Sequence, residues 1–184
     1  YIMGLGLYMR TGGPGPGEHA DMAGLPYATS KAALDAMVDH LLSYQITQAG
    51  PGIDDGYWCY GDSYAACPDS SATQFAVAGL GAAKSVYSDP AFADGARVTA
   101  LNSALARAKA AYARNGKDGS AGDECGVMDA IERGHGYQRS NTVPSMQQTA
   151  SGTWVQLIGG ADLNDGSVQA YLRWIYNRFR NQYD

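Results

Sequence analysis

Two stretches of this chain are written in one grammar. Residues 54–80 (DDGYWCYGDSYAACPDSSATQFAVAGL) open with aromatics on a glycine (Gly56, Tyr57, Trp58, Tyr60), cross a loop holding two cysteines, and enter a small-residue helix at Asp69-Ser70-Ser71. Residues 134–160 (GHGYQRSNTVPSMQQTASGTWVQLIGG) repeat the order: glycine, aromatic, loop, serine, helix. A recurrence of this kind constrains the fold, because each unit cannot bury its apolar face alone and stacked neighbours must supply the core.

The rest of the chain reads as helices around those two stretches. Residues 1–9 mix small and apolar side chains like the tail of a packed helix, and 11–27 form a loop because its prolines and glycines cannot continue one. Thr29 or Ser30 is the N-cap of a helix over 31–47, whose Leu34, Met37, Val38, Leu41 and Leu42 make one buried stripe. A helix over 71–88 follows, capped by Asp69, Ser70 or Ser71; its glycines and alanines imply close helical neighbours, since each glycine costs about 1 kcal/mol against alanine. Val98, Leu101, Leu105, Ala108 and Tyr112 line a helix over 96–114 that stops at Asn115-Gly116. A long loop (118–144) and a helix over 146–158 come next. The last helix, 167–182, is capped by Asn164 or Asp165 and presents Val168, Tyr171, Leu172, Ile175 and Phe179 on one face. Arg178 and Arg180 suit the negative end of its dipole.

No stretch alternates with period two, so the class is all-α. Amphipathic helices recur with a period of about 65–70 residues and alternate with small-residue ones, which points to an inner and an outer layer: an α/α barrel or toroid of about three pairs. The chain (1–184) reads as one domain. It begins at Tyr1 inside a helix, which reads as a mature product or a fragment of something longer.

Composition narrows the function classes. A net charge of −5 and a pI near 5.0 give no basic footprint for nucleic acid. No apolar run is long enough for a transmembrane helix. Few charges, many glycines and 13 tyrosines against 3 phenylalanines lean towards a secreted or periplasmic protein over a cytoplasmic one. Cys59 and Cys67 share one loop and either close a local disulfide or stay as two thiols; Cys125 is left over.

The motifs resemble a known family. DDGYW (54–58), preceded by Tyr44, Gln45 and Gln48, resembles a degenerate Q…G-x-W repeat of terpene cyclases and protein prenyltransferase β-subunits. SSATQFAVAGLGAA (70–83) is similar to the S-x-T-Q-[WF]-A-x-x-G-L helices of bacterial prenyltransferase/squalene-cyclase repeat proteins. GHGYQRSNTVPSMQQTASG (134–152) and VQAYLRWIYNRF (168–179) resemble further segments of the same group. The resemblance implies half of a toroid that closes with about six pairs, partnered by the remainder of the toroid or by a second chain. It also implies structural roles for Trp58, Asp69, Ser71 and Gln74: an aromatic stacked at a turn, and polar groups satisfying helix ends.

The chemistry of that family is harder to find. The Asp-x-Asp-Asp acid of class II cyclases is absent, and Asp54-Asp55 reads as a solvated turn. An aromatic wall of Tyr57, Trp58, Tyr60, Phe75 and Trp154 could hold an apolar or cationic ligand. Asp123 and Cys125, with His135 beyond them, have the local spacing of a transferase zinc site. They sit in a glycine-rich loop rather than at the start of an inner helix, so zinc is not expected and no cofactor is. No G-x-S-x-G elbow occurs, and His19 and His40 stand alone. The expectation is therefore a cyclase- or prenyltransferase-like repeat protein, its catalysis open, that binds an apolar small molecule. The alternative is a secreted, non-catalytic binding or assembly module working through its loops.

Overall fold

The computed structural model describes residues 1–13, 26–47, 55–60, 68–117, 126, 128–138 and 143–183, the side chains beyond Phe179 excepted. Its described residues are all-helical: α1 (Ile2–Arg10), α2 (Ser30–Ser43), α3 (Ser70–Tyr87), α4 (Gly95–Asn115), α5 (Met146–Ile158) and α6 (Gly166–Tyr183). Extended pairing among them is limited to isolated bridges, Trp58 and Gln138 each with Asp69, and Lys117 with Gly134.

Local chemistry starts four of these helices in the same way. Thr29, Asp69, Asp94 and Ser145 each accept an amide from three residues on, at 3.0, 2.8, 3.1 and 3.2 Å. Such a cap is worth about 1 kcal/mol. α2 stops at Ser43, short of the expected 47, because the residues beyond it are used elsewhere. The Ile46 N–H donates to Tyr57 O (2.9 Å) and Ile46 O accepts from Gly56 N–H (2.8 Å). The Gln45 amide meanwhile reaches Gly56 O and Ala104 O. α4 ends without a left-handed glycine, since Gly116 has φ −58° and ψ 133° and leads straight into the Lys117–Gly134 bridge.

The helices form two layers. α1, α3 and α5 are successive neighbours; α2 packs on α1 and α3, α4 on α3 and α5, and α6 on α5. The first layer holds the small-residue helices and the second the amphipathic ones, as the pattern predicts. At Gly152 of α5 a Cβ would sit 2.9 Å from the Tyr171 ring, so the missing side chain is what lets α6 lie this close. Leu34, Val38, Val77, Leu80, Leu101 and Leu105, all fully buried, tie the layers into one core.

α6 is rotated from its expected face. Val168 and Tyr171 are buried, but Trp174 and Arg178 join them while Leu172 and Phe179 are exposed and Ile175 is half-buried. The cause is a buried ion pair. Arg178 Nη1 lies 2.8 Å from Glu132 Oε2, and its guanidinium stands 4.4 Å over the Trp174 ring. Glu132 also accepts from the Asn177 side chain and the Met128 amide. Arg178 therefore serves a buried carboxylate rather than the helix dipole; the Arg180 side chain lies outside the described residues.

Candidate functional site

The turns that lead into α3 and α5 share part of a backbone frame. Ile46 bonds two successive residues, the Gly56 N–H and the Tyr57 O, whereas Lys117 pairs both ways with the single residue Gly134 at 2.7 and 2.6 Å. One residue on, Trp58 N–H donates to Thr73 Oγ1 (2.9 Å) and His135 N–H donates to Thr149 Oγ1 (3.0 Å). Asp69 N–H then donates to Trp58 O, and Ser145 N–H to His135 O. Trp58 and His135 thus occupy the same station in successive units. Gly56 holds the first turn at φ +96°, where a Cβ would strike Arg107 O at 2.3 Å; no other residue fits.

In the second unit that station is sealed. Tyr57 reaches across from the first turn and its hydroxyl donates to His135 Nε2 (2.9 Å). Nδ1 faces the Gly136 carbonyl at 2.7 Å, and a carbonyl only accepts, so Nδ1 carries the proton. Tyr112 stacks on His135 (4.3 Å between centroids, 24°) and on Tyr57 (5.2 Å, 24°), while Tyr171 meets the imidazole edge-on at 6.3 Å. Tyr112 and Tyr171 hydroxyls donate to Ser70 O and Tyr112 O. Burial holds His135 down to about 4, opposed by the Gly136 bond and helped by Lys117. Burial likewise pushes the Tyr112 and Tyr171 phenols up, keeping them neutral.

In the first unit the station holds a side chain that is equally buried, with a cleft beside it. Trp58 fills the place of His135, and its indole N–H is taken by Leu41 O at 2.7 Å. The cleft, of about 730 Å³, lies between α1, α2 and α3, walled by Met3, Met37, Leu41, Tyr44, Tyr60 and Phe75. The volume is in the range of small-molecule sites, roughly 300–1,000 Å³. None of the described lining residues is Lys, Arg, Asp or Glu, and the polar groups are the His40 imidazole, the indole and the tyrosine hydroxyls. His40 and Tyr44 pack ring to ring at 4.7 Å, and the Tyr60 hydroxyl lies 3.1 Å from Ser71 Oγ.

The expected aromatic wall therefore divides. Trp58, Tyr60 and Phe75 meet in the cleft; Tyr57 turns away into the sealed station; Trp154 borders a second hollow of about 530 Å³ with Met3, Ala82 and Ile158. Met37, His40 and Tyr44 were missing from the sequence-derived wall. Their signal is the α2 stripe itself, since Met37, His40, Leu41 and Tyr44 follow i, i+3, i+4, i+7 and carry it into the cleft.

Other expected residues fall as follows. Asp69 caps α3, and Gln74 accepts from the Ser151 hydroxyl on α5. In His135 Nδ1 carries the proton and the Nε2 lone pair accepts from the Tyr57 hydroxyl, so neither ring nitrogen is open to a metal in this arrangement. Among the described residues no cluster of three metal-ligating side chains occurs. Asp123, Cys125, Cys67, Asp54, Gln48 and His19 lie outside the described residues. Cys59 lies on the cleft wall. No helix among the described residues is long and apolar enough to cross a membrane.

A polar cluster on the second layer went unread in the sequence. Tyr87 hydroxyl donates to Asp35 (2.8 Å), and Arg97 grips Asp39 through two bonds at 2.7 and 3.0 Å. The hydrogen bonds from Arg97 hold the Asp39 carboxyl below its usual range, against the opposing effect of burial. The cluster pins α2 to α3 and α4 and borders no cavity described here. No family model, curated protein or solved structure gives a significant match to this chain.

Proposed function

We propose that this is a prenyltransferase/terpene-cyclase-like repeat protein that binds an apolar small molecule in the cleft between α1, α2 and α3, its two-layer array forming part of an α/α toroid. The observation that carries the reading is the cleft lining: among the described residues, mostly aromatic and methionine side chains with no Lys, Arg, Asp or Glu. Burying an apolar ligand there gains about 25 cal/mol per Å² removed from water. The test is fluorescence titration with the apolar dye aminoanthracene. Saturable binding that Phe75→Asp abolishes supports the reading; binding untouched by Phe75→Asp contradicts it.

A second reading, a secreted, non-catalytic binding or assembly module, is favoured by two observations. Cys59 and Cys67 share one loop at a spacing that a disulfide can close, which suits an extracytoplasmic compartment. α6 also exposes Leu172 and Tyr176 one turn apart, an apolar edge on the last helix of the array. A Cys59–Cys67 bridge in a non-reducing peptide map, together with no dye binding, would favour this reading over the first.

A further inference from the structure

We infer that this chain pairs head to tail with a second copy of itself, α1 of one copy seated in the uncovered angle between α5 and α6 of the other. The inference rests on the toroid reading above and names the partner that extends the array. It is carried by the contact that joins one unit to the next inside the chain, which has a free half at each end.

At the front, the free half is on α1. Gly4-Leu5-Gly6 in α1 recurs as Gly79-Leu80-Gly81 in α3, which sets the two helices in register. Gly6 and Gly81 face onward: a Cβ would meet Val86 of α3 at 3.3 Å at the first and Ile158 of α5 at 2.9 Å at the second. Gly79 faces back, where a Cβ would meet Ile2 of α1 at 3.6 Å. Its counterpart Gly4 looks into open space, and Leu7, one turn on, is 65% exposed. α1 thus keeps the small-residue flank that receives a preceding helix, and among the described residues no helix fills it.

At the back, the free half is on α5 and α6. The threonine latches put Thr149 at the position of Thr73. Gln74 and Gly81, through which α3 meets Ser151 and Ile158 of α5, therefore correspond to Ala150, exposed, and Leu157, half-buried. On the outer layer Ala111 of α4 and Trp174 of α6 lie against the turn glycines Gly56 and Gly134, and the buried Leu105 and Ala108 match the buried Val168 and Tyr171. In that register Lys109 and Tyr112, which lie against Gly159 and Gly152 of α5, become Leu172, 37% exposed, and Ile175, half-buried. Residues 1–9 and α5 carry no charged side chain, so docking one on the other strands no ion. The two halves differ, so the junction is heterologous, and copies joined by it form a ring where the rotation closes.

Light scattering after size exclusion gives the mass that tests this. The parent should run at twice the mass of the chain. Leu7→Asp and Leu172→Asp, both at exposed positions, should each run as a single chain with unchanged far-UV circular dichroism. Mixing the two variants should restore the two-chain species, because the sound α6 of the first meets the sound α1 of the second. A parent that stays single overturns the inference and leaves the toroid reading in place with a different partner. A two-chain parent that either variant leaves intact, or that mixing fails to restore, overturns the head-to-tail contact. An open ladder of masses abolished by both variants upholds the contact and overturns the toroid reading.

Discussion

The turn before α3 and the turn before α5 differ by one residue in how they pair with the preceding chain, yet each is latched by a threonine hydroxyl one helical turn inside the next helix. They differ in what stands over the latch. Both side chains are buried, but His135 lies among three tyrosines, whereas Trp58 borders a cleft walled by more exposed residues such as Tyr60 and Phe75. The threonine latch is common to both units, and the side chains laid on it decide whether a tyrosine cluster or a cleft forms beside it.

The comparison breaks most visibly by removing the seal. Tyr57→Ala deletes a fully buried ring and leaves His135 Nε2 without its donor, so denaturant unfolding should show a loss of about 3–5 kcal/mol. Phe75→Ala, on the cleft wall and 60% exposed, should stay within about 0.5 kcal/mol of the parent. Equal losses at the two positions would mean the stations do not differ as described.

Acid should act on one station only. The unfolded chain takes up a proton at His135 near 6.5, whereas the folded chain holds the ring neutral down to about 4. The unfolded state therefore binds more protons in that window, and stability falls as pH drops through it, by on the order of 3 kcal/mol at its lower end. Urea unfolding of the parent and of His135→Phe between pH 7 and 4 checks this. The variant should lose that part of the pH slope, and an unchanged slope would contradict the buried neutral imidazole.

Where the frame is shared, the effects should match. Thr73→Val and Thr149→Val each strand one buried backbone N–H, of Trp58 and of His135, and each should cost roughly 1–3 kcal/mol. A large loss at one and none at the other would show that the latches are not equivalent. The smallest effect is expected at Tyr60→Phe, which removes an exposed hydroxyl contact with Ser71 and should change stability by less than about 0.5 kcal/mol.

Much of the frame was legible in the residues. The caps at Thr29 and Asp69, each among the candidates the sequence offers, and the stripes on α2 and α4 are legible because they depend on neighbours within a few positions, whereas the caps at Asp94 and Ser145 went unread. The aromatic wall was half legible: Trp58, Tyr60 and Phe75 share the cleft, yet nothing local distinguishes Tyr57, which leaves for a partner 78 residues away. α6 misled for the same reason. Its apolar periodicity favoured Phe179, and only the tertiary pairing of Arg178 with Glu132 turns a charged side chain inward. Long-range partners carry no period, and a site assembled from α1, α2, α3 and a turn depends on them.

The central claim is that the cleft beside the first station is a ligand site. Ala72 lines the cleft from α3, half-buried, and a tryptophan there would occupy it from within. Calorimetric titration of aminoanthracene into the parent and into Ala72→Trp is the most direct measurement. The account predicts saturable heat for the parent and none for the variant, with both unfolding at similar denaturant concentration. Equal binding by the two chains would contradict it.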